Sequence, residues 1–222
     1  MRLKYLGHAG FELLIEGKTV VVDPFITKNE SSHIKIADIS KADIVAVTHS
    51  HFDHIGDAVE IARRDHACFV STSEVRQEAV KNGVKDVFGL NIGGSAIVKG
   101  LQIVCTQAHH SGNPCGFVFG VNGIYHAGDT ALFGDMALIA EMYSPLVALL
   151  PIGGYYTMGP REAAKAAELL KAKYVVPMHY NTFPQIRQDP EEFKKMVLER
   201  IGAEVLIFKE GESVDIKDGA DQ

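Results

Sequence analysis

Short stretches of alternating apolar and polar positions open the chain. Arg2 to Leu6, Phe11 to Ile15 and Thr19 to Asp23 carry a period of two, are rich in β-branched and other apolar residues, and are separated by Gly10 and Gly17. They predict three adjacent strands. A fourth apolar run, Ile44 to Val47, ends at Thr48 and opens into the histidine-rich segment THSHFDHIGD. A helix is expected from Asp57 to Arg64, then a strand from Cys68 to Ser71, then a second helix from Ser73 to Lys81 that Gly83 brings to an end.

The second half repeats this order. Extended runs occur at Leu101 to Thr106, Phe117 to Val121 and Ile124 to His126, followed by a helical segment around Asp135 to Met142 and a strand from Leu146 to Leu150 that stops at Pro151. An amphipathic helix is expected from Arg161 to Leu170 behind Pro160, a residue suited to a first helical turn. A strand from Tyr174 to Val176 leads into PMHYNTF, a last helix from Glu191 to Ile201 follows Asp189-Pro190, and a closing strand is expected over Glu204 to Phe208. Nothing resembling a linker or a low-complexity tract interrupts residues 1–222, which predicts one domain of two similar halves, about 1–95 and 96–215. Strands first and helices after, twice over, imply two sheets packed face to face with helices outside, an α/β fold of the αββα sandwich type. The polar tail KDGADQ is expected to fray.

Composition narrows the function. Hydrophobic residues make up 46% and charged residues 23%, as in folded globular chains. A formal charge of -6 argues against a nucleic-acid partner, which would require a basic face. No apolar run is long enough for a membrane span and the N-terminus lacks the pattern of a secretory signal, so a cytoplasmic protein is expected. Three cysteines, Cys68, Cys105 and Cys115, show no CxxC pairing and are read as reduced, buried thiols.

Ten histidines are many for this length, and their placement says more than their number. His49, His51 and His54 lie within six residues with Asp53 among them, directly after an apolar strand. Imidazole and carboxylate are the preferred ligands of zinc and neighbouring divalent metals. On extended backbone His49 and His51 project to one side and can share an ion. Asp53 and His54 fall where the chain turns toward a helix and can reach a second. Further candidates stand at later strand ends: His109-His110, Asp129 and His179.

The ordered set HxHxDH, a later His, Gly-Asp-Thr and a final His resembles the metallo-β-lactamase superfamily. Within it, LGHAGF, DPF, THSHFDHIGDA, HHSGNPCGF, YHAGDTALF, PIGG and VPMHYNTFP resemble the branch of metal-dependent hydrolases related to L-ascorbate-6-phosphate lactonase. The resemblance implies two divalent metal ions, zinc first and manganese as the alternative. His49, His51 and His110 would bind one, Asp53, His54 and His179 the other, and Asp129 would bridge them. His110 is taken over His109 because the family has Ser or Gly after this histidine, here Ser111. The activity implied is attack by a metal-bound hydroxide on a small ester, a lactone above others. Asp53 would also orient the hydroxide or carry its proton. The partner would be a small-molecule substrate, with self-association into a homo-oligomer.

Other readings stay open on the same scaffold: a phosphodiesterase, an iron-dependent redox enzyme, or a non-catalytic metal-binding protein. The di-iron redox enzymes have a carboxylate where this chain has His51 and carry a flavin module that it lacks. His8, in the turn Gly7-His8-Ala9-Gly10, is a candidate catalytic residue as substrate contact or proton donor, with a supporting role as the alternative. Asp23 either orders the histidine loop or makes a strand-end turn. His126 is expected to pack or to support the site, and His33 and His66 to lie on the surface. Gly153-Gly154 lets backbone approach a ligand or makes a tight turn, and Cys115 is expected to be buried rather than nucleophilic.

Overall fold

The computed structural model describes residues 1–217, so all but the first residue of the tail expected to fray lies outside the described residues. The three opening strands are β1 (Arg2–Gly7), β2 (Gly10–Ile15) and β3 (Lys18–Val22), followed by β4 (Ile44–Ala46). The histidine segment forms a single helical turn, α1 (Phe52–Ile55), before α2 (Ala58–Asp65), β5 (Cys68–Thr72), α3 (Ser73–Lys81) and β6 (Val87–Leu90). The chain continues through β7 (Ser95–Val98), β8 (Leu101–Gln107), β9 (Cys115–Phe119), β10 (Ile124–His126), α4 (Met136–Tyr143) and β11 (Val147–Pro151). It closes with α5 (Pro160–Leu170), β12 (Tyr174–Met178), α6 (Pro190–Ile201), β13 (Glu204–Val205) and β14 (Ser213–Asp215).

These strands make two seven-stranded sheets, ordered β14-β1-β2-β3-β4-β5-β6 and β13-β12-β11-β10-β9-β8-β7. Side-chain alternation shows how they stack. Val20, Val22, Ile44, Ala46 and Val70 of the first sheet share one core with Ile103, Phe117, Phe119 and Leu149 of the second. The intervening residues face the other way: Val21, Val45 and Phe69 pack under α2 and α3, while Val104, Ala148 and Leu150 pack under α4, α5 and α6. Both faces of the central strands are therefore buried. This is why their sequences read as unbroken apolar runs, and it gives the αββα sandwich.

Three expectations need correction. β6 and β7 were not anticipated; both are edge strands with partly exposed side chains, so neither carries a buried-strand pattern. The closing strand spans only Glu204–Val205 rather than Glu204 to Phe208. β14 then crosses back to the first sheet, pairing Arg2 with Asp215, so the second half of the chain completes the sheet of the first.

Within each sheet a parallel block, β3-β4-β5-β6 and β10-β11-β12-β13, points its strand C-termini the same way. Parallel strands collect loops at one end, where ligand sites form. His8, Asp23, His49, His110, Asp129 and His179 all lie just past strand C-termini.

Candidate metal centre

Thr48 leaves β4 and places His49 in the interior. His49 Nε2 comes within 3.0 Å of His51 Nδ1, and His110 Nε2 lies 3.3 Å from the same atom. Three imidazole nitrogens thus converge on one point. His109 has the opposite orientation: it is exposed and stacks on Phe133, with ring centroids 4.9 Å apart.

A second convergence involves Asp53, His54 and His179. The α1 turn aims Asp53 and His54 inward, and His179 Nε2 is 3.9 Å from Asp53 Oδ2. Asp129 lies between the two groups. Its Oδ2 is 4.0 Å from His49 Nε2, 3.5 Å from His110 Nε2 and 3.0 Å from His179 Nε2. Its Oδ1 is 3.3 Å from His54 Nε2. Gly128 makes this approach possible, with φ +62 and a backbone so close to the Cys115 carbonyl that a Cβ would stand 2.5 Å from it.

Asp23 supplies the support behind both groups. It accepts from the Thr48 backbone N–H at 2.8 Å and from the Thr48 hydroxyl at 2.6 Å. It also accepts from His54 Nδ1 at 2.7 Å. Because the Thr48 hydroxyl donates to Asp23, it accepts from His49 Nδ1, 3.0 Å away. One buried carboxylate therefore keeps a proton of both His49 and His54 on Nδ1 and turns each Nε2 inward, the orientation metal ligation requires.

Of the two roles left open for His8, its contacts match the supporting one. Its side chain has no exposed surface. Nε2 meets Asp53 Oδ2 at 3.2 Å and Nδ1 meets the Thr182 hydroxyl at 2.9 Å. It therefore holds Asp53 from behind, in the supporting role. His8, Asp23 and His179 all have left-handed backbone, φ 55, 44 and 55. Such conformations cost free energy in non-glycine residues and collect at functional sites. The His8 carbonyl secures two of them at once, accepting from the His179 N–H at 2.7 Å and the Tyr5 hydroxyl at 3.0 Å.

Several unpartnered atoms test whether these side chains suit a metal. Among the described residues, His54 Nε2, Asp129 Oδ1 and His179 Nδ1 are buried without a hydrogen-bond partner. The first two face each other at 3.3 Å. Buried polar atoms are seldom left so. Burial alone would lower the pKa of His54, yet Asp129 and Asp23 on either side raise it well above the ordinary range. Burial would likewise raise Asp129, but His54 and His179 hold it well below the usual carboxylate value. Burial, helped by neighbouring His54, pushes His49 down to about 2. The site thus stabilises positive charge beside Asp129 while keeping His49 neutral. Geometric grouping gives three donor sets, His49-His51-His110, His49-His54-Asp129 and His8-Asp53-His54-His179. Imidazole and carboxylate donors in such sets fit divalent ions of the zinc type.

The remaining candidates are placed plainly. His126 is buried in the inter-sheet core, its Nε2 donating to the Ala9 carbonyl at 2.9 Å while Nδ1 accepts from the Gly128 N–H at 3.1 Å. Hence it props the Asp129 loop. His33 and His66 are exposed. Gly153 packs against the His179 carbonyl and Ile186. Cys115 is buried, its thiol donating to the Thr48 carbonyl, and burial pushes its pKa well up. Sequence reasoning missed the side chains above the centre: Phe52, Tyr156, Phe183 and Gln185 line a cavity of about 500 Å³ over Asp53 and Asp129.

An αββα sandwich with a histidine–aspartate cluster at one end defines a metallo-hydrolase of the metallo-β-lactamase fold, and comparison with known proteins bears this out. Residues 2–179 match the model of the beta-lactamase superfamily domain. The UPF0173 metal-dependent hydrolase of Thermococcus kodakarensis is 50% identical over 97% of this chain and all of its own length. That of Caldivirga maquilingensis is 52% identical over 87% of this chain and 88% of its own. Among solved structures, Igni18, a metallo hydrolase from Ignicoccus hospitalis, superposes with a TM-score of 0.91 at 44% identity, covering 97% of this chain and 99% of its own. The chain belongs to the UPF0173 metal-dependent hydrolases of the beta-lactamase superfamily. No helix among the described residues is long and apolar enough to cross a membrane.

Proposed function

We propose that this protein hydrolyses a small ester, a lactone above others, at a centre of two divalent ions, zinc first and manganese as the alternative. The observation that carries the reading is the position of Asp129, whose two oxygens face His54 on one side and His49, His110 and His179 on the other. His49, His51 and His110 would hold one ion, Asp53, His54 and His179 the other, with Asp129 shared. When bound, such ions supply an activated water nucleophile and polarise the scissile carbonyl.

The chain's own residues do the rest. Asp23 keeps Nε2 of His49 and of His54 directed inward, so no reorganisation is needed on ligation. Asp53, held by His8 at one oxygen, lines the cavity and is placed to accept a proton from water and return it to the departing alkoxide. Water adds across the acyl C–O bond, giving a carboxylate and an alcohol, or a hydroxy acid from a lactone. Metal analysis joined to a screen of lactones, thioesters and phosphodiesters tests this. Two equivalents of divalent metal and lactone turnover abolished by chelator are expected. One equivalent that excess metal cannot raise would reject the two-ion centre, and turnover confined to phosphodiesters would reject the ester reading.

A further inference from the structure

The cavity above the cluster is walled by aromatic rings. Phe52 and Phe183 form one side, their centroids 6.4 Å apart, and buried Phe25 underlies both at 5.7 and 6.4 Å. Tyr156 belongs to the lining, with Tyr155 packed edge-on against it at 4.7 Å. Phe52, Tyr155 and Tyr156 are 62%, 69% and 52% exposed. Leaving Phe52 and Tyr156 in water at one mouth is unfavourable unless something covers them. The polar groups of the wall are neutral: Ser111 and Gln185. Among the described residues, the lining contains no lysine or arginine. The neighbouring Arg187 lines a separate cavity with Asn181, Gln188 and Asp189. The only charged lining groups, apart from whatever charge the histidines carry, are Asp53 and Asp129 of the floor.

We infer that the site takes an uncharged ester or lactone bearing an aromatic or other apolar portion, and rejects substrates that carry a phosphate or a second carboxylate away from the scissile bond. The inference rests on the reading of the site as an ester hydrolase. The metal end of the cavity engages the scissile group, so the remote part of the substrate meets the walls. There an aromatic portion replaces water against Phe52, Phe183 and Tyr156. A remote anion would lose its hydration against the same rings without gaining a cationic partner, and this is the kind of mismatch that discriminates strongly. At about 500 Å³ the cavity is of the size that holds a small organic molecule.

A matched pair isolates the effect: an aryl butyrate and the corresponding aryl hemisuccinate, which differ in a terminal carboxylate, joined by a neutral aromatic lactone and a phosphorylated sugar lactone. With the metal-loaded protein, kcat/KM is expected to be about a hundredfold higher for each neutral member. Phe183→Ala and Phe52→Ala should raise KM for the aryl butyrate about tenfold at unchanged metal content, and Gln185→Lys, at an exposed position, should improve hemisuccinate turnover about tenfold. Equal or better turnover of the charged members overturns the inference and leaves the hydrolase reading intact. If neither esters nor lactones are turned over, the ester-hydrolase reading fails. Calorimetry with the uncleavable butyranilide and succinanilate then decides the pocket's preference: tighter butyranilide binding supports it, and equal or tighter succinanilate binding overturns it.

Discussion

The two groups of candidate metal ligands are supported very differently. On the side of Asp53, His54 and His179, the rings of His54 and His179 are almost fully buried, with side-chain exposures of 0% and 2%. His54 leans on Asp23, and Asp53 on His8, which Thr182 anchors in turn. On the other side, His110 is 11% exposed, much like Asp53 at 13%, and the contrast lies in support: the outer nitrogen of His51 meets only the exposed Ser111 hydroxyl, at 3.2 Å. His49 belongs to the second group by its inward nitrogen and to the buried scaffold by its Thr48 contact. The difference teaches that, in the proposed two-ion centre, one ion would sit in a pre-set cage and the other in a site whose ligands must be ordered by binding. The deep site should therefore hold metal more tightly.

Asp129→Ala should erase the comparison, because it removes the group common to both sides. We expect metal content to fall at both sites and activity to drop by about three orders of magnitude or more. Asp129→Asn should stay folded and remain inactive, and retention of two metals with near wild-type rates by either variant would remove Asp129 from its bridging place. Asp23→Asn strikes the buried scaffold, His54 directly and His49 through Thr48. With its charge and one acceptor gone, metal affinity should fall about 10- to 100-fold, and thermal stability should drop as the His54 N–H loses its buried partner, by about 1–3 kcal/mol. If the affinity loss is no greater than for Ser111→Ala, the deep site owes nothing to Asp23.

His110→Ala should weaken the open side by about tenfold or more in metal affinity, whereas His109→Ala should leave metal binding unchanged, since that ring points away and stacks on Phe133. Equal effects would mean that the two adjacent histidines are not distinguished by ligation. The smallest change is expected from Ser111→Ala, whose hydroxyl is exposed to competing water: a few-fold at most in affinity of the open site, read by stepwise chelator titration. That titration should release one ion well before the other, and simultaneous release would contradict the asymmetry.

The cluster was readable because each ligand type falls at a strand end with few alternatives, and because the HxHxDH spacing keeps four side chains local. The role of His8 stayed open between substrate contact and support, since a histidine in a glycine turn carries no sign of which way its ring faces. The role of Asp23 stayed ambiguous for a related reason: its partners Thr48 and His54 lie 25 and 31 residues away. β6 and β7 were invisible because an edge strand buries too little to impose a pattern.

Taken alone, the sequence determined the αββα class, the alternation that buries both faces of the central strands, and the histidines and aspartates that became candidate ligands, because each of these depends on local period and residue chemistry. Tertiary structure decided what depends on distance. It returned β14 to the first sheet, set Asp129 between the two groups of histidines, put His8 behind Asp53, and assembled Phe52, Tyr156 and Phe183 into one wall. Phe52 is separated from Tyr156 and Phe183 by more than a hundred residues of chain. Only the packing of two sheets brings their loops to the same end, and no local pattern records that convergence.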